Sequence, residues 1–321
     1  MLPQFILKVI AHDDTKTRSG RFRRWVAFKL RKLLLRYSDP IVTFRIGNAT
    51  LRMNLSHDLP IATNLHPFYN TNLTRLAKYT NAKYHDLSII DIGANIGDSA
   101  AYIRLETDVP ILCLEGNDAF LPALVENAKG FDNVFVESVF VGAEDRRIAA
   151  SVNKHGGTSR IELEVSQSNT ISTKSLETIV KGWPQFQTAK FIKIDTDGFD
   201  IPIIRGAIDF LKQRKPVIFF EYDPACFLPL GQDGLSVFND LLGAGYTSAL
   251  IYDNLGNFLL SVDLNDKRTL EDLYNYFLGW NSIQYADIAV FSKEDTDLAN
   301  AVRTKEHSFF SSARGNLLNS K

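Results

Sequence analysis

The stretch from Ser88 to Ala100, IIDIGANIGDSA with its flanking serine, constrains the fold of this chain more than any other. Leu87, Ile89, Ile90 and Ile92 can fill a strand buried on both faces, and the run stops at Gly93. Gly93 and Gly97 let the backbone turn sharply and approach a ligand closely. Asp98 or Ser99 can then cap a helix running through Arg104. A strand, a glycine turn and a helix N-terminus in succession make a cradle for a small molecule.

The charge around that turn selects the ligand. A dinucleotide fingerprint places three glycines so that pyrophosphate can sit on bare helix amides, whereas here Gly93 and Gly97 are flanked by Asp91 and Asp98. Carboxylates repel phosphate and suit a cation, and S-adenosylmethionine carries both a sulfonium and an ammonium group. Pro110 to Leu114 is a second apolar run ending in Glu115, where an acid can bond both ribose hydroxyls. Asp91, Gly93, Asn95, Gly97 and Glu115 read as one nucleoside pocket. Ala94, Asp98, Ser99 and Asn117, interleaved with them, complete the candidate cofactor-binding set on these two strand ends.

A chain of 321 residues holds one large domain, or one domain with an N-terminal appendage. The net charge of −1 gives no global pull toward nucleic acid, so none is expected as a partner. Only Cys113 and Cys226 are present, and Cys113 lies inside an expected strand, which argues against a disulfide framework and for a reducing compartment. No apolar run approaches bilayer-spanning length, and MLPQFILKVIAHDD is a poor secretory signal, so a cytoplasmic location is expected.

Four regions are expected along the chain: a basic N-terminal helical extension over 1–38, a hairpin and helix layer over 39–86, the main domain over 87–293, and a C-terminal helix and tail over 294–321. Arg21 to Tyr37 interleaves basic residues with Phe22, Trp25, Val26, Phe28 and Leu30. It reads either as a helix that contacts a membrane surface or a partner, or as one packed on the main domain with solvated arginines. After Pro40, near-twofold alternation to Leu55 predicts a hairpin, and a helix begins at Thr71 or Asn72.

From Ser88 strands and helices alternate regularly, which predicts an α/β fold with a mostly parallel sheet covered on both faces. A hairpin around His155, Gly156 and Gly157 interrupts the pattern, and the chain closes with an antiparallel pair, a helix and a last strand at Ile288 to Phe291. Phe191 to Ile194 is a central strand followed by Asp195, Asp197, Gly198 and Asp200. Acids at the carboxyl end of such a strand point into the crevice where open sheets bind ligands. They can hold an ammonium group, act as a general base, or take a divalent cation through oxygens. Asp200 can instead cap the helix expected over Pro202 to Lys212.

With these residues assembled, the chain resembles the FkbM family of S-adenosylmethionine-dependent methyltransferases over roughly Ile61 to Phe291. The resemblance rests on IIDIGANIGD, Glu115, Asn133 to Gly142 and above all FIKIDTDGFD. The family usually writes the last motif K-I-D-x-E-G-x-E, and this chain carries the shorter acids Asp197 and Asp200 where glutamate is typical. The resemblance implies a class I (Rossmann-like) methyltransferase fold with a seven-stranded sheet, and methyl transfer to oxygen, often a sugar hydroxyl in surface polysaccharide biosynthesis or a hydroxyl of a natural product. By position it implies that Asp91, Gly93, Asn95 and Gly97 hold the methionine side of the cofactor and Glu115 the ribose, with Ser138 and Val139 near adenine.

A hydroxyl is a poor nucleophile near neutral pH, so a base or a metal must help remove its proton. Asp195 and Asp197 are the candidate bases, followed by His155, and Asp195 can equally orient the cofactor. Two other classes share parts of this pattern. A dinucleotide-dependent oxidoreductase would need the third glycine, and a non-catalytic cofactor-binding scaffold would bind without turnover.

Overall fold

The computed structural model describes residues 1–12, 17–163 and 170–319. Fourteen strands are found among them: β1 (Ile41–Ile46), β2 (Ala49–Asn54), β3 (Ile89–Ile92), β4 (Ile111–Glu115), β5 (Val134–Ser138), β6 (Phe140–Val141), β7 (Arg146–His155), β8 (Thr158–Leu163), β9 (Thr170–Lys174), β10 (Phe191–Ile194), β11 (Val217–Tyr222), β12 (Tyr246–Asp253), β13 (Phe258–Asp263) and β14 (Ala286–Ser292). Every residue of β3, β4, β10 and β11 is buried, as unbroken apolar runs covered on both faces require.

These strands form an eight-stranded sheet in the order β13-β12-β14-β11-β10-β3-β4-β5. The pairs from β5 across to β11 are all parallel, whereas β14 runs antiparallel to both β11 and β12. Seven strands make the α/β sheet of the class I arrangement, and β13 adds an antiparallel edge strand to β12. From β3 the chain steps outward to β4 and β5, then crosses back to place β10 on the other side of β3. That reversal opens a crevice above the carboxyl ends of β3 and β10. In register, Lys193 lies beside Asp91, and Glu221 beside Asp287.

A smaller sheet of order β6-β9-β7-β8 carries the inserted hairpin, whose two-residue turn is Gly156–Gly157. The N-terminal extension is two helices, Leu2–His12 and Arg18–Leu34, where the sequence suggested one. The second lies on the domain. Its buried Arg24 donates to Asn64 Oδ1 at 2.7 Å, and Arg31 donates to the carbonyls of Leu55 and Ser56 and to Asp58. Its Phe22 and Trp25 stack on each other and stay exposed. Among the described residues no helix is long and apolar enough to cross a membrane. Cys113 and Cys226 are free and buried.

Two helices differ from expectation. The segment expected as one helix over Pro202 to Lys212 is two, Asp200–Gly206 and Ile208–Arg214, joined at Ala207. The C-terminal helix runs over Thr296–Asn319, far beyond the apolar stripe that announces it. Leu298 and Val302 are buried, and one turn further the same stripe carries Glu306, which is fully buried. Glu306 accepts two hydrogen bonds from Arg75 at 2.7 Å each, and the Arg75 guanidinium lies 4.1 Å from the Phe309 ring centroid. Arg75 sits on helix Thr71–Lys83, so the pair fastens the end of the chain to the N-terminal layer. Removing one partner leaves the other buried and uncompensated. Glu306→Ala should therefore lower stability by about 3 kcal/mol in urea denaturation; an unchanged midpoint would show that the pair does not fasten the helix.

Candidate functional site

At the strand reversal the loops after β3, β4 and β10 line a cleft that is open to solvent. Gly93 has φ of +75°, and a Cβ built there would lie 1.9 Å from the carbonyl oxygen of Asp195. The turn after β3 thus presses against the loop after β10 at a distance only glycine allows. Gly93 and Ala94 donate their N–H groups to Leu114 O, which ties the same turn to the end of β4.

Glu115 is the junction of the cleft floor. Its Oε2 accepts from Asn95 N at 2.8 Å and its Oε1 from Asn117 N at 2.7 Å. Burial pushes this carboxyl up, and the two N–H donors pull it part of the way back. A carboxylate offers about four acceptor positions, so each oxygen keeps one for a ligand hydroxyl. The side chain of Asn95 donates to Gly157 O at 2.8 Å, which brings the tip of the β7–β8 hairpin onto the glycine turn. His57 joins them. Its Nδ1 accepts from Leu59 N, so Nε2 carries the proton and faces Asn95 Oδ1 at 3.4 Å.

The opposite wall is acidic. Lys193 Nζ lies 3.1 Å from Asp91 Oδ1 and 3.2 Å from Asp195 Oδ2, and donates to Gly93 O at 3.3 Å. Burial works against its charge, but Asp195, Asp91 and Asp98 outweigh it and hold the ammonium well above its usual range. Asp91 is fully buried behind this lysine, and burial raises its carboxyl. Asp195 stands at the cleft with its side chain about half exposed. Burial and then Asp195 push Asp200 up to about 7 and Asp287 up to about 8. Burial and then Asp195 and Asp197 drive Glu221 well up.

The cleft wall brings together Gly93, Asn95, Glu115, Val139, Asp195 and Asp197. It does not include the other candidates. Ala94 and Ser99 are buried, and Gly97 rather than Asp98 or Ser99 occupies the N-cap of helix Asp98–Ile103, in a left-handed conformation without a side-chain cap. Burial raises the Asp98 carboxyl, opposed by the nearby His57 and Lys193. Asn117 is buried beneath Glu115, and Ser138 is exposed, because the wall is carried by Val139 and the residues after it. His155 ends β7, and its side chain lies outside the described residues. Asp200 does not occupy the cap position of its helix, which belongs to Phe199. Its carboxylate instead accepts from Thr196 N, Thr196 Oγ1 and Gly198 N, stapling the loop that presents Asp195 and Asp197.

Sequence reasoning missed Phe120, Phe140, Thr196 and Phe199, which also line the cleft. It also missed Asp287 and Tyr285, whereas Tyr69 falls in the aromatic-rich segment before the main domain. Burial raises both phenols well up, with Asp98, Asp195 and Asp287 acting on Tyr69, and Glu221 and Tyr69 on Tyr285. Asp287 accepts from Asn72 Nδ2 at 3.2 Å. Among these groups the half-exposed Asp195 carboxylate at the cleft is the one placed to accept a proton.

The raised acids set a pH dependence. Unfolded carboxyls lose their protons near about 4, so from there up to about 8 the native Asp287 holds its proton while the unfolded one does not. The native state binds more protons, and this group's contribution to stability falls as pH rises through that window. Asp287→Asn should flatten the decline of the urea midpoint between about pH 5 and about pH 8; parallel declines in both proteins would contradict it.

Residues 91–228 match the methyltransferase FkbM domain. No curated protein matches the chain. Among solved structures it is similar to a methyltransferase FkbM from Methylobacillus flagellatus KT at 17% identity, over 53% of this chain and 43% of that one, with a TM-score of 0.35. The match thus spans less than half of that protein's length. It is also similar to the N-methyltransferase NodS from Bradyrhizobium japonicum WM9, in complex with S-adenosyl-L-homocysteine, at 11% identity over 74% of this chain and 92% of that one, with a TM-score of 0.39. The similarity to the methyltransferase FkbM domain is carried by residues 91–228, less than half of the chain.

Proposed function

We propose that the cleft binds S-adenosylmethionine and that the protein transfers a methyl group to a hydroxyl of a glycan or a glycosylated small molecule. The single observation that carries the reading is Glu115, a buried carboxylate fixed by two backbone N–H groups at the floor of an acidic cleft. Such a group suits the paired hydroxyls of a ribose, and the acids around Asp195 suit a cationic ligand. When bound, S-adenosylmethionine supplies an activated methyl group on a positively charged sulfur.

The residues divide by position. Gly93 and Asn95 shape the turn under the ligand, Glu115 takes the ribose, and Val139 with Phe140 forms the apolar wall. Lys193 neutralises Asp91 and leaves Asp195 poised at the surface of the cleft. Asp195 and Asp197 then serve as the acceptors for a hydroxyl proton. The net charge of −1 leaves no electrostatic case for nucleic acid as acceptor, and the exposed Phe22 and Trp25 on the basic helix provide a surface for a membrane or a partner.

Calorimetric titration should show S-adenosylmethionine and its demethylated product binding to the purified chain. The absence of heat from well-folded protein would sink the assignment. Glu115→Gln puts an amide against a backbone N–H and should weaken that binding about tenfold to a hundredfold; equal affinity would remove Glu115 from the ribose. Radiolabelled methyl transfer screened across glycans, nucleotide sugars and lipids identifies the acceptor. With that acceptor in hand, Asp195→Ala should cost on the order of a hundredfold or more in turnover while cofactor heat persists, and full activity would exclude it as the base.

A further inference from the structure

We propose that Asp197, Glu221 and Cys226 form a binding site for one divalent transition-metal cation of the zinc type, set beside the cleft. One carboxylate oxygen from each acid and the Cys226 thiol all lie within 4.8 Å of one another. Asp197 comes from the loop after β10, and Glu221 and Cys226 from the end of β11 and the short helix Pro224–Phe227 that follows it. Tertiary packing therefore brings Asp197 to a pair that the chain already holds close together.

Glu221 is the independent evidence. Its side chain is 8% exposed, and its Oε2 is buried without a hydrogen-bond partner. A buried acceptor left unpaired is costly, and more so when charged. A dication bound between Glu221, Asp197 and the thiol supplies the partner that Glu221 Oε2 lacks.

The donor set selects the ion. Calcium and magnesium take oxygen ligands, whereas a thiolate with carboxylates suits zinc or cobalt. Tetrahedral coordination at ordinary zinc bond lengths needs donors about 3.3–3.7 Å apart, so the three side chains close by roughly 1 Å on binding. The thiol now donates to Asp223 Oδ2 at 3.1 Å, and that proton leaves to solvent as the metal–sulfur bond forms, together with any proton held on Glu221. Three protein ligands leave a fourth coordination position. Asp197 belongs to both the cluster and the cleft wall, which puts the ion next to the place assigned to the acceptor. An effect of the ion on the acceptor hydroxyl rests on the function proposed above, but metal binding does not.

The test uses the full chain, treated with chelator, desalted and titrated with Co²⁺. The expected result is one equivalent bound, a thiolate-to-cobalt charge-transfer band in the near ultraviolet, and displacement by Zn²⁺. C226S should bind without the band, while E221Q and D197N should weaken binding tenfold or more with the fold verified by circular dichroism. Wild-type protein that shows no thiolate band, or a band that persists unchanged in C226S or in both E221Q and D197N, would overturn the site. None of these readouts depends on methyl transfer, so failure of one proposal is distinguishable from failure of the other.

Discussion

The buried ammonium of Lys193 organises the strand ends on which the site stands. It reaches Asp91 on the neighbouring strand, Asp195 at the cleft and the Gly93 carbonyl in the turn between them. Without it Asp91 would be a fully buried carboxylate facing other acids, an arrangement too costly to persist in ionised form. With it, two parallel strands end in a common charge cluster and their loops can touch. The close approach of Gly93 to Asp195 is the steric half of the same arrangement.

Outward from this pair, the site divides into a floor and a wall of different character. The floor is made by backbone: N–H groups of Asn95 and Asn117 on Glu115, and those of Gly93 and Ala94 on Leu114. It is pre-organised and needs no side-chain movement to receive a ligand. The wall is made by carboxylates whose charges oppose one another, with Asp200 spending its oxygens on the loop that carries Asp195 and Asp197. Backbone donors on one side and opposed carboxylates on the other are the two features on which the function proposed above rests.

Much of this was legible in the sequence because it rests on local rules. Unbroken apolar runs announced β3, β4, β10 and β11, and the glycine turn announced its own conformation. The rest depends on what packs against what. Asp287 escaped notice because it lies on an antiparallel strand, whose beginning rather than end meets the acidic edge beside Glu221. Asp200 looked like a cap because its bonding partners precede it by only a few residues, and nothing local says which way its carboxylate turns. The wall fell on Val139 and Phe140 rather than Ser138 because β5 ends at the exposed Ser138, and the residues that follow leave that strand and line the cleft. The C-terminal helix outran its apolar signal because a buried arginine elsewhere makes Glu306 an inward-facing residue.

The contact of Asn95 with the Gly157 carbonyl and with His57 gives the glycine turn three owners: the main sheet, the inserted hairpin and the segment before the sheet. A small module cut from the sheet alone would lose two of them. The pocket is in this sense a joint property of distant parts of the chain, and ligand occupancy reports on whether those parts have come together.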